Sequence, residues 1–334
     1  INVYFSMTFF EMGFSLSNLF ELAEDEDLKR KPDAIFLFGI PSTAENAVQE
    51  QDTIFYDDEE NDLLVGSVPF RKEYSYFGYL KKMILTLHNI KMMKLGRMPF
   101  HGAMFHIVLR NAGSSNVILI GDSGAGKSET LEALRGIIED QVEELTIVAD
   151  DMGSIELTPE GKVIGYGTEI GAFVRLDDLQ KGYALGQIDR TIIMNPDQVN
   201  ARVVIPVTKY KNVIRGFEVD FILYANNYDS VDEDHPVIEQ FNNSEMALDV
   251  FRSGAVMSKG TTTTTGLTHS YFANIFGPPQ YRNLHEEIAQ KYFNQFFQRG
   301  IFVGEMRTQL GISGKEYSGP EESARALLDT LLKK

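Results

Sequence analysis

Eight residues constrain this chain more than any other stretch: Gly121-Asp122-Ser123-Gly124-Ala125-Gly126-Lys127-Ser128 match G-x-x-x-x-G-K-[ST]. The apolar run NVILI precedes them, and SETLEALRGIIED, rich in good helix formers, overlaps their end. Glycines let the backbone curl until successive N–H groups face one anion, and the following helix adds the positive end of its dipole. In such a loop Lys127 reaches the β- and γ-phosphates, and the Ser128 hydroxyl ligates Mg²⁺. Gly121 to Ser128, together with Glu129, are therefore the expected nucleotide-binding residues, and a nucleoside triphosphate is the expected ligand.

A second element lies downstream. LTIVA reads as a strand and runs into Asp150-Asp151, so two carboxylates sit at a strand end beside the loop. One can hold Mg²⁺ while the other accepts a proton or a second cation. The acidic pairs Asp57-Asp58 and Asp177-Asp178 lack that setting and read as solvated surface.

Composition narrows the partners. The 334 residues carry 31 Lys+Arg against 48 Asp+Glu, a formal charge of −17. That balance argues against nucleic acid or an anionic membrane as partner, since both are held by clustered cations. A small anionic acceptor remains compatible, because a pocket's local field can oppose the global one. Cysteine is absent, so a thiolate nucleophile, thiolate zinc or disulfide is impossible, which fits a reducing cytoplasmic setting. No apolar run reaches the roughly 18 residues a membrane helix needs. The chain opens on Ile1 rather than Met, which suggests a piece of something longer and leaves the oligomeric state open.

Read for organisation, 33–40 (DAIFLFGI) predicts a buried strand, and 53–56 with 63–65 predict a hairpin across DDEEND. YLKKMILTLHNIKMM predicts a helix over 79–93, which GRMP breaks. FHGAMFHIVL and NVILI predict two strands joined by a Gly/Ser turn. Strands are also expected at 145–149, 203–207 and 221–225, and helices at 284–298 and 321–332. The Thr run 260–266 reads as a loop. Irregular alternation of strands and helices makes the fold class α/β, or α+β, with a mixed sheet. The expected division is 1–97, part of an N-terminal lobe, and 98–334, a nucleotide-binding lobe.

In order along the chain, several short motifs resemble the ATP-dependent phosphoenolpyruvate carboxykinase family. Gly78-Tyr79-Leu80-Lys81-Lys82 resembles its G-E-[MI]-K-K, and 19 residues after Lys82 comes His101, where the family has a metal-binding histidine. After the loop and the Asp pair, Glu169-Ile170-Gly171-Ala172-Phe173-Val174-Arg175 resembles E-G-G-C-Y-A-K. Asn200 to Pro206 resembles N-T-R-x-x-Y-P, Gly260 to Gly277 resembles G-T-E…F-S-A-C-F-G, and Ser323-Ala324-Arg325-Ala326 resembles Y-T-R-A.

The resemblance implies a carboxykinase-like P-loop lobe that decarboxylates oxaloacetate and phosphorylates the enolate from ATP. It implies that Lys82, His101 and Asp151 hold the catalytic ion, usually Mn²⁺, and that Ser128 holds the Mg²⁺ accompanying ATP. A lysine ligand must be neutral, which requires a nearby cation to depress its pKa. Arg175 and Arg202 would neutralise the transferring phosphoryl, and Arg325 would lie against the base. Each has a plainer alternative. Lys82 could be a solvated helix lysine, His101 a structural strand-end histidine with His106 as rival ligand, and the two arginines ordinary ion-pair partners.

The departures matter equally. The family's loop usually reads G-L-S-G-T-G-K-T, whereas GDSGAGKSE, with His101-Gly102 before it and VADD after it, resembles HPr kinase/phosphorylase. That family's E-[IV]-R-G-x-G signature is missing, and so is the carboxykinases' T-G-R-S-P-K-D element. Three readings follow: a carboxykinase-like phosphotransferase, a serine or small-molecule kinase with Asp150 as base, and a degenerate nucleotide-binding regulatory module.

Overall fold

The computed structural model describes residues 1–40, 53–71, 74–110, 112–137, 141–175, 192–194, 201–259, 265–275, 277 and 279–333. Asp177-Asp178, Asn200, Phe276 and 260–264 of the Thr run lie outside the described residues.

In chain order the elements are β1 (Asn2–Phe5), α1 (Phe10–Leu19), β2 (Ala34–Ile40), β3 (Ile54–Asp58), β4 (Leu63–Pro69) and α2 (Phe77–Lys94). Then come β5 (Met98–Leu109), β6 (Gly113–Ile120), α3 (Lys127–Ile137), β7 (Val142–Ala149), β8 (Met152–Leu157) and β9 (Val163–Gly167). They are followed by β10 (Gly171–Arg175), β11 (Ile192–Met194), β12 (Arg202–Pro206), α4 (Tyr210–Ile214), β13 (Phe217–Glu218), β14 (Phe221–Asn226) and β15 (Ile238–Gln240). The last are α5 (Ser244–Ser253), β16 (Ala255–Lys259), β17 (Thr265–His269), α6 (Arg282–Gln298), β18 (Phe302–Arg307) and α7 (Ser318–Leu332). The protein is mixed α/β with mixed sheets. Among the described residues no helix is long and apolar enough to cross a membrane.

Two compact units divide the chain. One comprises Ile1–Leu95, Ile170–Pro206 and Phe276–Arg282, and the other Gly96–Glu169, Val207–Ile275 and Asn283–Lys334. The boundary after Leu95 lies two residues from the expected one, and Ile170–Pro206 and Phe276–Arg282 group with the first unit rather than the second. The reason is local packing. The three-stranded antiparallel sheet β10-β12-β11 is held by the first unit's helices. Ile170 N donates to Leu19 O at the end of α1 at 2.8 Å, and Phe77 of α2 meets Phe173 edge to face, ring centres 5.0 Å apart. The first unit's other sheet has order β1-β2-β4-β3, with the expected hairpin as its antiparallel edge.

The second unit is built on a nine-stranded sheet in order β13-β9-β8-β5-β6-β14-β18-β15, with β7 also paired to β5. β6, β14 and β18 run parallel, so their carboxyl ends share one edge. β5 is long enough to pair with β8 through its first residues and with β7 through its last. Phe105, Ile107, Val117, Leu119, Leu223 and Met306 bury one sheet face under Leu131 and Leu134 of α3 and Leu327, Leu328 and Leu331 of α7. At roughly 1.5–3 kcal/mol per buried large aliphatic or aromatic side chain, this layer anchors α3 and the loop that starts it.

Candidate nucleotide and metal site

β6 is sandwiched between β5 and β14, so it delivers Gly121 to the sheet edge at a fixed point. Gly121 N donates to His101 O across to β5 at 3.1 Å. Gly124 and Gly126 have φ of +78° and +93°, values that L side chains rarely adopt. A Cβ on Gly126 would also lie 2.5 Å from Thr308 Oγ1, so the loop and the residue after β18 touch without room to spare.

Outer residues hold the curl. Thr308 Oγ1 donates to Ala125 O at 2.7 Å. Asn227 Nδ2 donates to Gly124 O and Met257 O, each at 2.9 Å, and its Oδ1 accepts Met257 N at 2.7 Å. Asp122 accepts Ser123 N at 2.7 Å and the Ser270 hydroxyl at 2.8 Å. Sequence reasoning missed Asn227, Thr308 and Ser270. Asn227 lies two residues past an expected strand, and Ser270 within the stretch Gly260 to Gly277.

Lys127 is buried, and its Nζ donates to Gly121 O at 2.6 Å and Asp122 O at 2.9 Å, so the ammonium lies across the loop's own start. Burial pushes its pKa down, opposed by the charges of Asp151, Asp122, Glu129 and Asp150. Loop lysine and Asp pair are thus electrostatic neighbours. Ser128 and Glu129 are half-buried in the first turn of α3, where an acidic residue suits the dipole, while Ser123 is exposed.

Asp150-Asp151 form the step between β7 and β8, opposite β5, and Asp151 O accepts Gly102 N at 2.9 Å. His101, 1 % exposed, is the β5 residue beside that step. Its Nδ1 donates to Ala273 O, because a carbonyl can only accept, and its Nε2 stands 3.2 Å from Asp151 Oδ1. Asp122 Oδ1 lies 3.8 Å from Nδ1. Ala273 is held in place by a run of left-handed residues, Phe272, Ala273 and Asn274, with φ of 45°, 55° and 64°. Such backbone persists only where its surroundings over-determine it.

With the Nδ1 proton committed, two arrangements are chemically sound at Nε2. An imidazolium donates to the carboxylate, or a neutral ring and Asp151 direct lone pairs at one cation. Nitrogen with carboxylate oxygen suits Mn²⁺, and two such ligands leave coordination positions for water or phosphate oxygen. Among the described residues no three His, Asp or Glu groups converge on one metal position, so the dyad is what this unit offers from those residue types. The rival His106 is engaged within the sheet, its Nδ1 2.7 Å from Asn116 Oδ1 and its ring tilted against Phe217 at 5.2 Å.

Lys82, Arg175 and Arg202 belong to the first unit. Lys82 lies on the exposed side of α2, whereas its neighbour Lys81 is buried at 8 %, with Nζ 5.9 Å from the centre of the Phe173 ring. Arg202 places its guanidinium 5.3 Å from the same ring, and Arg175 is its register partner across β10 and β12. Lys81 is therefore a second cation on Phe173 that the sequence motif did not separate from Lys82. Arg325 is on the exposed side of α7, whose opposite side packs against α3.

The chain matches no protein-family model and no curated protein.

Proposed function

We propose that the protein is an ATP-dependent phosphotransferase with a carboxykinase-like P-loop lobe, moving the γ-phosphoryl to a small anionic acceptor. The observation that carries this reading is the gathering, in one unit, of the curled loop, the buried Lys127 ammonium, and the His101/Asp151 dyad. The loop amides and Lys127 would hold the β- and γ-phosphates. Ser128 would hold the Mg²⁺ of ATP, and His101 with Asp151 a Mn²⁺ ion. The metal ions would neutralise charge on the phosphoryl oxygens as it moves. For oxaloacetate, loss of CO₂ leaves an enolate, whose oxygen bonds to the γ-phosphorus while the bond to the β-phosphate oxygen breaks and ADP leaves. The resemblance assigns Arg175 and Arg202 to that phosphoryl and Arg325 to the base.

Calorimetry of the full chain with ATP, then a coupled assay for ADP and CO₂ from oxaloacetate with Mn²⁺, tests the reading. Expected are ATP binding lost in Lys127→Ala and metal-stimulated turnover. Absence of ATP binding by the wild type would sink it, and binding without transfer would favour the regulatory module.

Asp150 favours a second reading, a serine or small-molecule kinase. Burial raises the pKa of Glu132 and the Asp150 charge adds to that rise; the same charge acts on Lys127, so Asp150 could serve as the base that takes a hydroxyl proton. Phosphate transfer to a hydroxyl acceptor, with none to oxaloacetate, would select it.

A further inference from the structure

We propose that Glu169 is a positioning residue that sets the metal-facing geometry of Asp151 by holding the backbone of the β7–β8 step. Glu169 is 1 % exposed, and one carboxylate oxygen, Oε1, accepts both Asp151 N and Met152 N at 2.8 Å. Two consecutive N–H groups converging on one oxygen fix the peptide plane between them, and therefore the direction in which the Asp151 side chain leaves the backbone. Its other side is fixed by Asp151 O, which accepts Gly102 N beside His101. The dyad is thus held from two directions, by Gly102 on β5 and by Glu169.

The chain reaches this point by a close approach. Gly167 ends β9 opposite Gly153, and a Cβ there would lie 2.0 Å from Val148 O. Only a residue without a side chain lets the end of β9 press onto β7, which brings Glu169, two residues on, behind the step. The carboxyl group and the reach of Glu169 are two separable contributions to that hold.

The inference rests on the phosphotransferase reading only for its metal, and two variants separate the contributions. Glu169→Gln keeps the acceptor at full reach without charge. Glu169→Asp keeps the charge but withdraws the oxygen by about 1.5 Å, past hydrogen-bond range for both amides. Mn²⁺ binding to the nucleotide-free protein is read from the free-Mn²⁺ electron paramagnetic resonance signal. Amide hydrogen exchange at Asp151 and Met152 reads the two hydrogen bonds with no metal present. Positioning predicts that Glu169→Asp weakens Mn²⁺ about 10-fold or more and speeds exchange at both amides, while Glu169→Gln stays within about threefold of wild type. If Glu169→Gln loses as much affinity as Glu169→Asp, or Glu169→Asp matches wild type in both readouts, the inference is overturned. If the wild type binds no Mn²⁺, the metal reading fails by itself, and exchange then decides whether Glu169 holds the step.

Discussion

His285 provides the most quantitative test of the second unit's packing. It is 1 % exposed on α6, with Nδ1 3.0 Å from the Tyr271 hydroxyl and its ring 4.7 Å from Phe272, the first of the left-handed residues behind His101. Burial lowers its pKa from 6.5 to about 4, so the native ring is neutral where the unfolded chain takes up a proton. The sign follows directly. Above 6.5 neither state is protonated and the group adds no slope. As pH falls from 6.5 to about 4 only the unfolded state binds the proton, so stability is lost through that window. A shift of this size amounts to about 3 kcal/mol, a large share of the roughly 5–15 kcal/mol of a whole domain. The perturbation is His285→Phe, which removes the titration and fills the space with an aromatic ring. Urea unfolding of both proteins at neutral pH and near pH 4 isolates the difference, because the carboxylates titrate in both. Wild type should lose about 3 kcal/mol more than the variant over that range. Parallel pH profiles for the two proteins would refute the reasoning, since burial of a neutral imidazole could then not be its source.

Other perturbations reach the site. Gly126→Ala combines the left-handed φ of +93° with a Cβ 2.5 Å from Thr308 Oγ1, and should cost about 3 kcal/mol in thermal unfolding together with most of the ATP affinity. The companion Gly136→Ala, in open space on α3, should leave both within about 0.5 kcal/mol or improve stability. Because burial depresses the Lys127 pKa, phosphate charge should raise it again, and ATP binding at alkaline pH should take up protons. Calorimetry in buffers of different ionisation enthalpy measures that uptake, and no buffer dependence would count against the lysine–phosphate contact. Lys82→Ala should change stability little, as the side chain is exposed, whereas Lys81→Ala should destabilise the first unit by about 1–3 kcal/mol. If phosphoryl transfer by Lys82→Ala falls by roughly 100-fold, about 2.7 kcal/mol of barrier, the carboxykinase-like ligand set is favoured over the kinase reading.

What the chain states locally was legible in its sequence. The strand–loop–helix at 113–137 follows from an apolar run, glycines and helix formers within a few residues of one another. The hairpin of β3 and β4, the α2 helix and the strand ending at Asp150-Asp151 likewise carry their own periodicity and punctuation. β18, by contrast, was not foreseen. Its FVGEMR is buried on both faces and lacks alternation, as strands in the parallel part of a sheet do.

The sequence by itself determined that a glycine-rich curl would stand between a strand and a helix, because covalent neighbours and backbone freedom suffice to build one. Tertiary structure alone decided which residues surround it. Thr308 and Asn227 reach the curl because β14 and β18 run parallel beside β6, and His101 meets Asp151 because β5 pairs with both β7 and β8. Lys81 rather than Lys82 is buried because the turn of α2 presents one of two adjacent lysines to Phe173. Glu169 arrives behind Asp151 through the close approach at Gly167. Each is a contact between residues far apart in the chain, set by strand order and helix phase, which no short window of sequence contains.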